Sequence, residues 1–205
     1  MNGVLIAFEI ALLLPLFIGT WRTSLVGLSA QGFLMAWIAF RHGVAPTPEA
    51  AVEVIDLVIL RGIAIPALLY REMRAQNAAR RNDVIAPNLL SWVLALTLVL
   101  MSFRAADLLV PSEGDGQALI GVATSALLIG LLVLATRTGH FSQMLGALRV
   151  ENAIALFTVG SAPHTQLGVR IGETLVLFAT ILYFRGYLAA LGAEAPADSV
   201  TEPIL

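Results

Sequence analysis

The run ALIGVATSALLIGLLVLAT, residues 118–136, contains neither a charge nor a proline. A helix needs about 20 mainly apolar residues to cross a hydrocarbon core of about 30 Å, so this stretch reads as a membrane span, 117–136. Six further segments read the same way: residues 2–20, 24–42, 51–71, 88–110, 141–160 and 166–188. The breaks between them have local causes. Pro46 and Pro48 part the second and third segments, and Pro87 opens the fourth at a position where its missing N–H costs little. Pro111, Ser112, Glu113, Gly114, Asp115 and Gly116 form a turn cluster, and Pro163 with His164 separates the last two segments. The first segment lacks a basic leader and a small-residue cleavage site, so it is expected to be retained.

Composition points the same way. Of 205 residues, 58% are hydrophobic and 13% charged, with a mean hydropathy of +0.85. A soluble domain has roughly 45–50% apolar and about 25% charged residues. There is too little polar surface here to cover a globule, which excludes a soluble enzyme domain, a disordered chain and a nucleic-acid binder. The absence of cysteine removes disulfides, thiolate-held zinc and iron–sulfur clusters. His42, His140 and His164 fall in connections, so paired intramembrane haem ligands are not expected. No hydrolytic or phosphate-binding motif is present, and no cofactor, metal or catalytic residue is expected on this chain.

All 12 basic residues are arginine, and their distribution sets the orientation. Arg22, Arg71, Arg74, Arg80, Arg81, Arg137 and Arg185 gather on one side, against Arg41 with Glu49, Glu113 and Asp115 on the other. The positive-inside rule then places the N-terminus outside and the C-terminus in the cytoplasm. The fold expected is all-α: a polytopic membrane protein with seven transmembrane helices. Trp21, Trp37 and Trp92 sit toward span ends, as interfacial anchors do.

Ten charges lie within the spans: Arg61, Arg104, Arg149, Arg170, Glu9, Glu53, Asp56, Asp107, Glu151 and Glu173. Each costs about 2.5–3.5 kcal/mol at mid-helix on the insertion scale, so such residues face a protein interior or a wet path and mark function. Spacing of three puts Arg170 with Glu173, Arg104 with Asp107, and Glu53 with Asp56 on common faces. Arg149 and Glu151, two apart, point to different neighbours. Arg104 and Asp107 lie near the outer end of their helix and read as an interfacial pair. Burial and a nearby guanidinium pull a carboxyl's proton affinity in opposite directions, which suits a group that takes up and releases protons. The candidate proton pathway is Glu151, Glu173, Arg149, Arg170, Glu9, Asp56 and Arg61. Buried ion pairs that fix helix packing are the competing reading. Gly168 and Gly172 form a GxxxG beside Glu173, expected to bring its helix close to a neighbour. Ser29, Gln31 and Gly32 read as interhelical contacts, and Asn152 as a bridge or a clamp on Glu151.

Residues 117–188 form an apolar span, a short turn with Arg137 and His140, a second span with Leu148, Arg149, Val150, Glu151 and Asn152, and a third with Gly172, Glu173 and Thr174. This arrangement resembles the K subunit of bacterial respiratory complex I and its antiporter relatives. At full length the chain is similar to the hydrogenase-4 component E family, membrane-arm subunits of formate hydrogenlyase-type and group 4 nickel–iron hydrogenase complexes. The resemblance implies that Glu151 and Glu173 are the buried glutamates of the proton path. It also implies antiporter-like subunits as partners, metal and iron–sulfur centres confined to other subunits, and a place in the bacterial cytoplasmic membrane. The two glutamates are closer in sequence than the K subunit usually shows, and Arg149 and Arg170 do not map onto its pattern.

The expected organisation is a three-helix unit at 1–87, a connecting helix and loop at 88–116, a K-like three-helix unit at 117–190 and a disordered tail at 191–205. Arg22 ends the first helix as Arg137 ends the fifth, and Gln31 then falls where Glu151 falls, so the two units read as a parallel repeat. The function expected is that of a non-catalytic, proton-translocating subunit of a complex I-like assembly. A structural scaffold and an independent small ion or solute transporter are the alternatives.

Overall fold

A computed structural model of the chain describes residues 2–17, 21–41, 48–75, 89–110, 115–136, 139–161 and 167–194. Those residues form eight α-helices and one π-helical stretch, with no strand among them. They are α1 (Asn2–Phe17), α2 (Trp21–Arg41), α3 (Pro48–Val54), π1 (Ile55–Ala64), α4 (Ile65–Ala75), α5 (Leu89–Leu109), α6 (Asp115–Thr136), α7 (His140–Ser161) and α8 (Leu167–Glu194). Because α3, π1 and α4 run on without a break, all seven segments expected to be helical are so over their described residues. Pro48 opens α3 at the position where proline is tolerated, and Asp115 sits in the first turn of α6, where a carboxylate suits the helix dipole.

Among the described residues, three helices are long and apolar enough to cross a membrane, over Arg22–Arg41, Trp92–Leu109 and Asp115–Thr136. Residues 191–194, expected in the tail, belong to α8, because alanine and leucine favour the helix. Residues 195–205 and the basic pair Arg80 and Arg81 lie outside the described residues.

The helices stack in two layers. In the first, α1 packs on α2 and α2 on π1; in the second, α5 packs on α6, α6 on α7 and α7 on α8. Across the layers α1 meets α6, α2 meets α7 and α3 meets α8. The α6–α7 seam is tight because Gly130 lies against the Val150 backbone and Gly146 against Leu134. Two apolar clusters result. One joins Leu5, Phe8 and Leu12 to Met35, Ile38, Ile129 and Leu156. The other joins Leu28, Ile65, Leu69, Leu148 and Leu177. Gln31, Arg61, Arg149 and Asn152 are buried at sequence positions between the two.

Candidate functional site: a buried ion-pair layer

The layer is organised by π1. In an α-helix, residues five apart are about 140° apart around the axis and cannot pair. A π-helix bonds i to i+5 and turns such residues toward one side of the helix; the Ile65 N–H donates to the Leu60 carbonyl in this pattern. The wider turn sets Asp56 under Arg61, with Nε 2.8 Å from Oδ2. Pro66 supplies a cause. It has no N–H to offer the Gly62 carbonyl four residues back, and its ring would clash there. The Ser29 hydroxyl of α2 donates to that carbonyl instead. Gly32 lets the two backbones approach, since a Cβ on it would fall 2.6 Å from the Gly62 nitrogen.

Arg61, only 1% exposed, also donates from Nη1 to Asn152 Oδ1 at 3.0 Å. Asn152 Nδ2 in turn donates to Gln31 Oε1 at 3.2 Å. One guanidinium thereby ties π1 to α7 and, through the amide, to α2. On the other side, the Thr174 hydroxyl of α8 donates to Asp56 Oδ1 at 3.3 Å. One turn earlier in the chain, Glu53 Oε1 meets Arg170 Nη1 at 2.7 Å. Glu53, Asp56, Arg170, Glu173 and Thr174 line a cavity of about 10 Å³, near the lower limit for a single water. Each guanidinium in this cluster has its own carboxylate, and those two pairs cancel. The cluster's formal charge therefore turns on Glu173, whose partner is the Thr158 hydroxyl of α7.

Glu151 occupies a second position on the same seam, accepting from Thr180 Oγ1 at 2.8 Å. The two contacts are reciprocal: a glutamate of α7 meets a threonine of α8, and a glutamate of α8 meets a threonine of α7. They show that α7 and α8 run antiparallel. They also set the two carboxyls seven residues apart along the seam, about 10 Å at 1.5 Å per residue. Glu9 stands apart on α1, where it accepts from the Ser125 hydroxyl of α6 and keeps its second oxygen buried without a hydrogen-bond partner among the described residues.

Of the candidate pathway residues, Asp56, Arg61, Arg170 and Glu173 come together, Glu151 lies two turns along, Glu9 sits elsewhere, and Arg149 is buried on another face of α7 from Glu151. Spacing placed Arg170 with Glu173, yet its ion pair is with Glu53, on another helix. Asp107 takes its hydrogen bond from Gln117 of α6, at 2.9 Å, and not from the expected partner Arg104. The GxxxG expectation also fails: among the described residues a Cβ on Gly168 or Gly172 meets nothing within 4 Å, whereas Gly32 crosses Gly62 backbone to backbone. Sequence reasoning missed Glu53 as a member and the four hydroxyls of Ser125, Thr158, Thr174 and Thr180. Their signal was their presence inside apolar spans, where hydroxyls bond across helices.

Over the described residues, fold and site together define an all-helical protein, apolar enough in three helices to cross a membrane, that holds a buried layer of ion pairs between its helical layers. It belongs to the family of "Uncharacterized protein Rv0085" of Mycobacterium tuberculosis, with 31% identity over 192 residues, covering 89% of this chain and 87% of that protein. No family model matches the chain, and no solved structure matches it.

Proposed function

We propose that the chain is a seven-span subunit of the bacterial cytoplasmic membrane, N-terminus outside and C-terminus inside, within a complex I-like or group 4 hydrogenase-like membrane arm. It moves protons through buried carboxylates and leaves electron transfer, with its metal centres, to partner subunits. The observation that carries this reading is the α7–α8 seam. There two hydroxyl-held glutamates lie two turns apart, one of them beside two self-cancelling ion pairs. A carboxyl in that setting changes the local charge by one unit when its proton moves, and the neighbouring pairs are positioned to answer that change. The ion pair of Arg185 with Glu72, at 3.4 Å, supports the topology by joining Arg185 of α8 to the end of α4 that carries Arg71 and Arg74. Stacking of α1 on α6, α2 on α7 and α3 on α8 supports the two-unit organisation.

The test is the assembled complex in sealed vesicles, with the pH gradient measured per electron turnover. Glu173→Gln and Glu151→Gln are expected to abolish the gradient while leaving assembly intact. An unchanged gradient in both variants would leave the subunit a scaffold whose ion pairs serve packing alone. Transport by the chain expressed without partners would make it an independent transporter.

A further inference from the structure

Between π1 and α4 on one side and α8 on the other runs a groove of about 130 Å³, apolar along Leu60, Ala64, Leu68, Leu177 and Phe178, with Arg185 the polar residue in its lining. We infer that this groove holds one acyl chain of an anionic phospholipid of the cytoplasmic leaflet, its phosphate taken by Arg185. The inference rests on reading the chain as a multi-pass membrane subunit.

Three features choose this occupant. The volume admits the width of a single hydrocarbon chain and not a helix, whose diameter is about 10–12 Å. The groove's long apolar wall has no buried donor to recognise a ring carbonyl. At the arginine end, Arg185 is exposed and stands by Glu72, and Arg71 and Arg74 are exposed on the same last turns of α4. Three guanidinium groups against one carboxylate leave that end cationic, and a basic pocket between membrane helices is a recurrent headgroup site.

The experiment begins with alkaline carbonate extraction of membranes carrying the full chain. Release into the wash overturns the membrane reading itself. Retention allows native mass spectrometry of the detergent-purified protein titrated separately with phosphatidylglycerol and phosphatidylcholine. The expected result is a bound phosphatidylglycerol that phosphatidylcholine does not replace. Arg185→Gln should weaken its binding about five-fold, the effect of one charge near an anionic surface. Ala64→Trp, which fills the groove and leaves every arginine in place, should abolish it. Equal binding of the two lipids, or binding that survives Ala64→Trp, overturns the proposal, as does displacement of the lipid by a short-chain quinone at equal concentration.

Discussion

Arg61→Met is expected to lower the stability of the detergent-solubilised protein by about 3–5 kcal/mol, the usual cost of stripping one partner from a buried ion pair. Arg61 is 1% exposed and Asp56 13%. Methionine keeps much of the volume but leaves the Asp56 carboxylate with the Thr174 hydroxyl alone, and leaves Asn152 Oδ1 without its donor. The helices tied by that guanidinium, π1, α7 and α2, lose their common anchor. Restoring neutrality should restore most of the loss, because replacing both members of a buried pair by apolar groups is often neutral or stabilising. Arg61→Met with Asp56→Leu is therefore predicted to be more stable than Arg61→Met alone. Unfolding in a denaturing-detergent titration reads both variants. A single variant as stable as the parent would show that the pair does not hold the layer together.

Gly32→Ala is the second large effect. The added methyl would lie 2.6 Å from the Gly62 nitrogen, 2.8 Å from its Cα and 2.9 Å from the Arg61 carbonyl carbon. All three are backbone atoms, so no rotamer change relieves the overlap and α2 must move off π1. Overpacking of this kind costs about 1–3 kcal/mol and occasionally more. The move also lengthens the Ser29 hydrogen bond to the Gly62 carbonyl, which Pro66 leaves without an α-helical donor. Gly172→Ala is the matched control. Among the described residues nothing lies within 4 Å of its Cβ position, and removing a helical glycine gains about 0.5–1 kcal/mol in helix propensity. Thermal unfolding of the two purified variants should therefore move in opposite directions. A Gly32→Ala protein as stable as the parent would mean that the crossing is looser than described.

The helices were legible because their signals are local. Uncharged runs of span length, Pro48 at a helix start and the turn cluster at 111–116 depend only on neighbours in the chain, and the helix ends follow them closely. Membership of the site was partly legible, since Asp56, Arg61, Arg170 and Glu173 stand out as charges inside apolar segments. Their pairing was not. Spacing rules assume 3.6 residues per turn, and they set Arg170 beside Glu173 and Glu53 beside Asp56 as neighbours on one face. The structure sends each guanidinium to a carboxylate by another route, one across to a second helix and one along the π turn. A cue to that turn was present in Gly62 followed four residues later by Pro66.

By itself the sequence determined that this chain is helical, where its helices run, and which charges lie inside them. Those facts depend on backbone propensity and on the free energy of transferring each segment out of water, both additive along the chain. Only the tertiary structure decided which carboxylates Arg61 and Arg170 neutralise, and therefore that within their cluster Glu173 is the carboxyl outside the two pairs. That assignment depends on helix rotation, on the extra residue that each hydrogen-bonded loop of π1 encloses and on how closely Gly32 and Gly62 let two backbones approach. None of these quantities is additive along the chain, because each is set by contacts between segments far apart in it.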